Sequence, residues 1–426
     1  MHINSLIFFR SLIIPVACFL LTIILPVSEI NALSHDEYDK LRVYSDVLSI
    51  IETNYVNEKK NSEIIYESIK GMVKNLDPHS SFMPPRDYKE LQVETKGKFG
   101  GLGIEISIKD RYLIIISPIE DTPAFRAGLK SGDKIIKIED NSTKDMDIMD
   151  AIKLMRGEPG TKINITIERK GLKKPKSIVI KRDIINIKSV KSKIIKNKFG
   201  YIRITQFQEN TTNDFKNALN SLLLNEHKII GLIIDLRSNP GGLLTQAVNI
   251  VDQFLDEGLI VYTDGRIPSK NLQYHANNGS KKYNFNIVIL VNEGSASASE
   301  IVAGSLQDHK RAIVIGRKTF GKGTVQTIFP LIDGSGLRLT TAKYYLPSHR
   351  TIHGTGIEPD INIEIQKDNE TSQSEDTLMK KTDAPLSDSI IIKAMEVLDN
   401  WEQHEKILSK KNNPDNTLHT KQLNDK

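Results

Sequence analysis

Residues 228–255, KIIGLIIDLRSNPGGLLTQAVNIVDQFL, decide the fold. Lys228 to Asp235 is strand-like, Asp235-Leu236-Arg237-Ser238-Asn239-Pro240-Gly241-Gly242 turns the chain, and Leu243 to Leu255 has helical spacing. The alternation extends to both sides. Phe199 to Ile204, Leu259 to Thr263, Phe285 to Val291, Arg311 to Ile315, Thr324 to Phe329 and Leu337 to Tyr345 read as strands, and Ser297 to Gln307 as a helix. Strands separated by helices predict an α/β layered domain with crossover connections. No element is assigned between Ile204 and Lys228.

Upstream the pattern changes. From Asp36 to about Leu76 apolar residues recur at helical spacing (Leu41, Val47, Leu48, Ile51, then Ile64, Ile65, Ile69, Val73), broken by the polar stretch Asn57 to Ser62, which predicts two helices. In Leu76-Asp77-Pro78-His79-Ser80-Ser81, Pro78 forces Asp77 out of the helical region. A β-rich unit starts near Thr95 with Gly100-Gly101-Leu102-Gly103-Ile104. Short strands follow at Ile104 to Ile108, Tyr112 to Ser117, Lys134 to Ile138, Lys162 to Glu168 and Ser177 to Lys181, with helical pieces at Ala124 to Leu129 and Met149 to Met155. A glycine-rich loop leaves backbone N–H groups free as an anion-binding nest, and an adjacent strand edge accepts an extended peptide, so such a site captures a C-terminal carboxylate. The plainer alternative is that these glycines only make a tight turn. The loop Gly101 to Ile104, the turn Ala127 to Asp133 and the helix Met149 to Met155, in that order, resemble a PDZ domain spanning roughly Thr95 to Arg182.

Composition narrows the classes. The 426 residues carry 58 Lys and Arg against 53 Asp and Glu, a net +5, too mild over the whole chain to argue for a nucleic-acid partner. The single cysteine, Cys18, lies in an N-terminal apolar stretch, which excludes an intramolecular disulfide, a Cys-ligated zinc site and a Cys nucleophile. That stretch, charge-free from Ser11 to Ser28 and preceded by Arg10, reads as a signal peptide or a membrane anchor, and both imply export. Ala32 is the best cleavage candidate, with Ile30 against it. Val16-Ala17-Cys18 weakly suggests lipid attachment, with Pro15 against it.

Two segments can carry chemistry. Asn292-Glu293-Gly294-Ser295-Ala296-Ser297-Ala298-Ser299-Glu300-Ile301 joins an apolar strand to a helix, where a serine hydroxyl is exposed and free N–H groups favour a developing oxyanion. Ser297-x-x-Glu300 is equally a capping-box pattern, in which Ser297 simply caps the helix. Downstream, Thr319-Phe320-Gly321-Lys322-Gly323-Thr324-Val325-Gln326 sets a lysine between two glycines at the start of a strand. A lysine at its usual pKa of about 10.4 is no base at neutral pH, but burial favours the free amine, which could then take a serine proton. Gln326 could orient that amine. A phosphate-binding loop is the other reading of Gly-Lys-Gly, but the Walker spacing and the following helix are missing.

These residues resemble the carboxyl-terminal processing proteases, tail-specific serine peptidases of bacterial periplasm and chloroplast lumen. The resemblance runs from Leu76-Asp77-Pro78-His79-Ser80-Ser81-Phe82 to His353-Gly354-Thr355-Gly356-Ile357-Glu358-Pro359-Asp360. It implies a Ser-Lys dyad of Ser297 as nucleophile and Lys322 as general base, with Gln326 in support. It also implies oxyanion donors at Ala298 and at Gly241 or Gly242, a structural Asp308 near the site, and tail binding by Gly101, Leu102, Gly103 and Ile104. No metal or organic cofactor is implied. The partners implied are protein or peptide substrates with free C-terminal tails, with inner-membrane association through the leader and a homo-oligomer through the terminal helices both open. The localisation implied is the bacterial periplasm, soluble or anchored to the inner membrane. Two rivals stand beside this reading: a Ser-His-Asp hydrolase using His309 or His353, with His309 expected on a helix end facing water, and a non-catalytic exported PDZ scaffold. The expected architecture is multidomain α+β, a PDZ-like β-rich domain inserted before an α/β layered catalytic core, with N- and C-terminal helices. Its parts are 1–32 leader, 33–94 helical region, 95–182 PDZ domain, 183–365 catalytic domain, and 366–426 polar linker, helix (Leu386 to Ile407) and tail.

Overall fold

The structure, a computed structural model, describes residues 34–224, 228–277, 279, 283–363 and 388–404. The expected leader, the polar linker 366–384 and the tail 412–426 lie outside the described residues. No helix among the described residues is long and apolar enough to cross a membrane. The chain divides into two compact units between Ser68 and Ile69. In the first, helix His35–Asn54 opens on a reciprocal cap, Ser34 N–H donating to Glu37 (2.6 Å) and Glu37 N–H to the Ser34 hydroxyl (3.3 Å). Helix Asn61–Lys74 spans the division.

The expected helical region 33–94 is therefore not one unit. From Ile69 on it belongs to the second unit, where strand Ser81–Met83 pairs antiparallel with strand Gly336–Tyr345, Phe82 opposite Leu337. Helix Pro85–Lys96, not assigned from the sequence, follows it. Pro85 occupies the first turn, where its missing N–H has no acceptor to lose, and Gly97 ends the helix at φ +67°.

The PDZ-like region is an antiparallel sheet in the order Ile104–Lys109, Tyr112–Pro118, Lys134–Ile138, Lys162–Glu168, Lys176–Lys181. Strand Lys162–Glu168 shows why it forms: Ile163, Ile165 and Ile167 alternate into the core while their neighbours face out. Helix Ile148–Met155, capped by Asp147, packs on the first and third strands. The helical piece read at Ala124 to Leu129 is one turn, Pro123–Arg126. Short strands Lys98–Gly101 and Asp183–Asn186 pair at the domain's entry and exit. The domain is thus an insertion between Ser81–Met83 and the rest of that strand's sheet.

The α/β core has six strands in the order Val190–Ile195, Phe199–Ile204, Gly231–Asp235, Asn286–Val291, Ala312–Gly316, Ile361–Asn362, parallel after the first pair. Helices Thr211–Leu223, Leu244–Val251 and Ala298–Asp308 share one hydrophobic cluster with the sheet. Helix Ser389–Asp399 fills a second cluster with Ile390, Ile391, Ala394, Met395 and Leu398, so its apolar face is used within the chain. Helix Thr211–Leu223 is the crossover missing from the sequence reading, and Phe215, Leu219 and Leu222 are its buried stripe. A second, antiparallel sheet runs Ser81–Met83, Gly336–Tyr345, Leu259–Gly265, Gln273–His275, with Thr324–Pro330 forming a hairpin on Gly336–Tyr345.

Candidate active site

Strand Asn286–Val291 ends at the carboxyl edge of the parallel sheet, and the turn after it delivers Ser297 as N-cap of helix Ala298–Asp308. Ser297 sits at φ +56° and ψ −114°, a backbone conformation that non-glycine residues rarely adopt. Neighbouring loops hold it there. Ser295 Oγ donates to Leu236 C=O (2.8 Å), Ala296 N–H to Asn239 C=O (3.0 Å), and Ser299 Oγ to the same carbonyl (3.0 Å). Phe320 N–H donates to Ser295 C=O (3.0 Å), which ties in the lysine segment.

Glu300, fully buried, joins the two segments. Its Oε2 accepts from Ser297 N–H (2.8 Å) and from Lys322 N–H (2.9 Å), while Oε1 accepts from Gly321 N–H (2.7 Å) and the Thr319 hydroxyl. Burial pushes its carboxyl pKa above the usual value, and the hydrogen bonds from Thr319, Gly321, Ser297 and Lys322 pull it partly back. The capping pattern read from Ser297-x-x-Glu300 is real in its carboxylate arm, and the same carboxylate reaches beyond its helix.

Lys322 is half-buried. Desolvation, then the Arg338 charge, lower its ammonium pKa. Its flanking glycines are sterically required: a Cβ on Gly323 would lie 2.3 Å from His353 N, and Gly321 has φ +91°. Burial, then the Lys322 charge, also lower the His79 imidazole, whose ring meets His353 edge-on at 6.3 Å. Gln326 donates through Nε2 to Thr324 Oγ1 (2.8 Å) and Thr340 Oγ1 (3.3 Å), leaving Oε1 as the atom able to accept from an ammonium. Thr340 Oγ1 donates in turn to Asp77 (3.1 Å), whose carboxylate also takes His79 N–H, Ser80 N–H and the Ser80 hydroxyl. Burial opposes that charge, but the four donors hold Asp77 at about 2. No hydrogen bond joins Ser297 Oγ to Lys322 Nζ, or Gln326 to either.

Ala298 and Gly241 both lie against the serine. Ala298 is the first residue of its helix, so its N–H has no intrahelical acceptor. Gly241 packs on the serine so closely that a Cβ would lie 2.8 Å from Ser297 Cβ. Its N–H donates to Asn239 Oδ1 (2.9 Å), whereas no hydrogen bond among the described residues holds Gly242 N–H. Tyr344, missed in the sequence, bridges both segments: its N–H donates to Gly323 C=O (2.8 Å), and its buried phenol has the Ser297 side chain as a hydrogen-bond partner. Burial pushes that phenol up to about 12.

The loop after Gly231–Asp235 is braced by a second buried carboxylate. Asp235 accepts from Arg237 Nη2 (2.7 Å) and Nε (3.0 Å), Arg203 Nη1 (3.2 Å) and Tyr201 OH (2.7 Å). Burial would raise its pKa, but Arg237 and Arg203 hold it below the usual value. Asp308 lies at the far end of the serine's helix, about 15 Å along it. There it pairs with Arg350 (2.8 Å) and accepts from Ser348 N–H (3.0 Å), fastening a turn and not the nucleophile. His309 is on the helix end, as expected, and only partly exposed, its Nε2 bonding Leu259 C=O (2.7 Å). His353 is exposed, and neither ring hydrogen-bonds Ser297.

In the PDZ domain, Gly101, Leu102, Gly103 and Ile104 line a groove of about 290 Å³ between strand Ile104–Lys109 and helix Ile148–Met155, floored by Ile106, Ile148, Ile152 and Met155. That strand pairs on one side only, so its other edge is open to an added strand. Gly103, at φ +78°, abuts Thr122, which a Cβ would meet at 2.3 Å.

A model described as Peptidase family S41 matches residues 198–363, and one described as PDZ domain matches residues 100–180. The Carboxy-terminal-processing protease of Bartonella bacilliformis is 45% identical over 329 residues, covering 77% of this chain and 76% of that protein. The Carboxyl-terminal-processing protease of Synechocystis sp. is 38% identical over 323 residues, covering 74% and 75%. A solved photosystem II D1 C-terminal processing protease is 27% identical, covers 76% of this chain and 92% of that one, and superposes with a TM-score of 0.44.

Proposed function

This chain belongs to the carboxy-terminal-processing proteases of peptidase family S41, and we propose that it cuts protein substrates through a Ser297–Lys322 dyad after holding their C-terminal tails in its PDZ groove. Neutral Lys322 accepts the Ser297 proton as Oγ attacks the scissile carbonyl carbon. The N–H groups of Ala298 and of Gly241 or Gly242 stabilise the oxyanion, and Lys322 returns the proton to the leaving amine. Water then attacks the acyl-enzyme, its proton passing to Lys322 and on to Ser297 Oγ as the acyl carbon–Oγ bond breaks, which frees the serine and the new carboxyl terminus. Gln326 Oε1 is the acceptor suited to orient the lysine. The apolar run Ser11 to Ser28 supports an exported enzyme, soluble or held at the inner membrane.

The Glu300 carboxylate carries this reading, since one oxygen accepts from the backbone of both proposed dyad members and so sets their separation. Ser297→Ala and Lys322→Ala are each expected to lower cleavage of an apolar-tailed protein by about 10⁴-fold or more, while His309→Ala and His353→Ala leave it measurable. Loss on changing a histidine with retention in Lys322→Ala would sink the dyad. Substrate recovered intact from the unaltered chain, with its tail still bound, would instead favour the scaffold.

A further inference from the structure

The loop joining Lys162–Glu168 to Lys176–Lys181 reads Arg169-Lys170-Gly171-Leu172-Lys173-Lys174-Pro175-Lys176, with five cations and no anion. The chain as a whole has 58 cations and 53 anions, a net +5, and this loop by itself carries as much. A charge that is mild when averaged over 426 residues conceals cationic stretches, of which this hairpin is one and residues 188–198, with Lys188, Lys191, Lys193, Lys196 and Lys198, another.

Its base is fixed and its tip is free. Arg169 pairs with buried Asp133 (2.6 Å) and donates to Gly128 C=O (2.8 Å), anchoring the loop to the domain. Lys134 lies 3.3 Å from Glu168 and over the Tyr112 ring. Lys170, Lys173, Lys174 and Lys176 are exposed and have no ion-pair partner among the described residues. Leu172, at the centre of these lysines, is 46% exposed, and beside it Gly171 turns at φ +94° with open space around it. Beside the tip and Leu172 lies a concavity of about 640 Å³ where Lys109, Lys170, Lys173 and Lys174 outnumber two carboxylates, Asp110 and the Lys134-paired Glu168.

We propose that this loop docks the PDZ domain on an anionic phospholipid surface, with Leu172 entering the headgroup boundary and the surrounding lysines on lipid phosphates. A lone aliphatic tip ringed by long cationic side chains suits an interface that is apolar in front and anionic at the rim. Single-stranded nucleic acid would call for aromatic platforms, and the loop has none. The surface shares no lining residue with the tail groove, so lipid and tail can be held together.

The test uses the full chain carrying Leu172→Trp, its emission read against the parent with its single Trp401. Vesicles of phosphatidylglycerol with phosphatidylcholine are expected to shift that emission to the blue, and pure phosphatidylcholine to leave it unchanged. Lys170→Gln, Lys173→Gln and Lys174→Gln together are expected to weaken partition onto the anionic vesicles by about a hundredfold, and added salt to release the loop. An apolar leader that inserts by itself would act on both vesicle types and would not move the reporter at 172. Unchanged emission on anionic vesicles that carry the protein overturns the proposal, as does tighter, loop-dependent binding to RNA or an acidic peptide without any vesicle response. Tail cleavage in vesicle-free buffer stays the same in the triple variant, so failure here leaves the peptidase reading untouched.

Discussion

Asp235 and Glu300 are both buried, on neighbouring strand-to-helix connections, and they are satisfied in opposite ways. Asp235 is gripped by two guanidiniums and a phenol, so its charge persists despite burial. Glu300 meets only neutral donors, and burial raises its proton affinity. An ion-paired carboxylate makes a strut. One held by backbone dipoles keeps its oxygens free to orient the N–H groups of Ser297, Gly321 and Lys322, for which an adjacent arginine would compete.

Five measurements can break or sharpen this contrast. The largest effect is expected for Asp235→Asn, which strands Arg203 and part of Arg237 and should cost about 3–5 kcal/mol in urea unfolding. A loss below about 1 kcal/mol would mean the guanidiniums are already solvated and the contrast is empty. Next comes Glu300, where the charge matters less to stability than to alignment. Glu300→Ala leaves four buried donors without an acceptor, about 2–4 kcal/mol. Glu300→Gln keeps one acceptor oxygen and should lose no more than about 2 kcal/mol, while kcat falls by about a hundredfold at unchanged KM. A rise in KM with kcat intact would count against an alignment role.

Third, the two carboxylates should imprint opposite pH limbs. Asp235 has its pKa lowered on folding, so its contribution is present above the unfolded value near 3.8 and is lost as pH falls through the folded one. Glu300 has its pKa raised, so its contribution is present below the unfolded value near 4.5 and is lost as pH rises through the folded one. Unfolding free energy against pH in the two amide variants checks each limb separately. For cleavage, the lowered Lys322 predicts a rate that climbs with pH to a midpoint below 10.5, and Arg338→Gln should move that midpoint upward. The smallest effect is expected for Tyr344→Phe, which removes the hydroxyl beside Ser297 and should change kcat by less than about tenfold. A hundredfold loss would promote the phenol from neighbour to participant.

The contrast also shows what a sequence can reveal. Ser297 and Lys322 are legible because each lies in a short local pattern, a strand-to-helix turn and a glycine-flanked strand start. Glu300 is legible only as a cap, because Thr319, Gly321 and Lys322 reach it from 19 to 22 positions downstream. Tyr344 and the Asp77–Thr340 link depend on strand pairing that no local period encodes. The layered core follows from strand-helix alternation, yet helix Thr211–Leu223 went unassigned although Phe215, Leu219 and Leu222 have its period. Helix Pro85–Lys96 offers little to read, having no buried residue. His309 illustrates the converse: its flanking cations suggest water, while its ring finds a backbone carbonyl.

Strand Ser81–Met83 has its partner at Gly336–Tyr345, and Thr340 N–H reaches Ser80 Oγ across 260 residues of chain. At a translation rate of roughly 5–20 residues per second, the first of these strands waits many seconds for the second. Ser297 and Lys322 are both added to the chain before Arg338, Thr340 and Tyr344. A nascent chain interrupted short of Gly336 would hold the proposed nucleophile and base without the strand that seats them, so the site proposed here is complete only when synthesis is nearly finished.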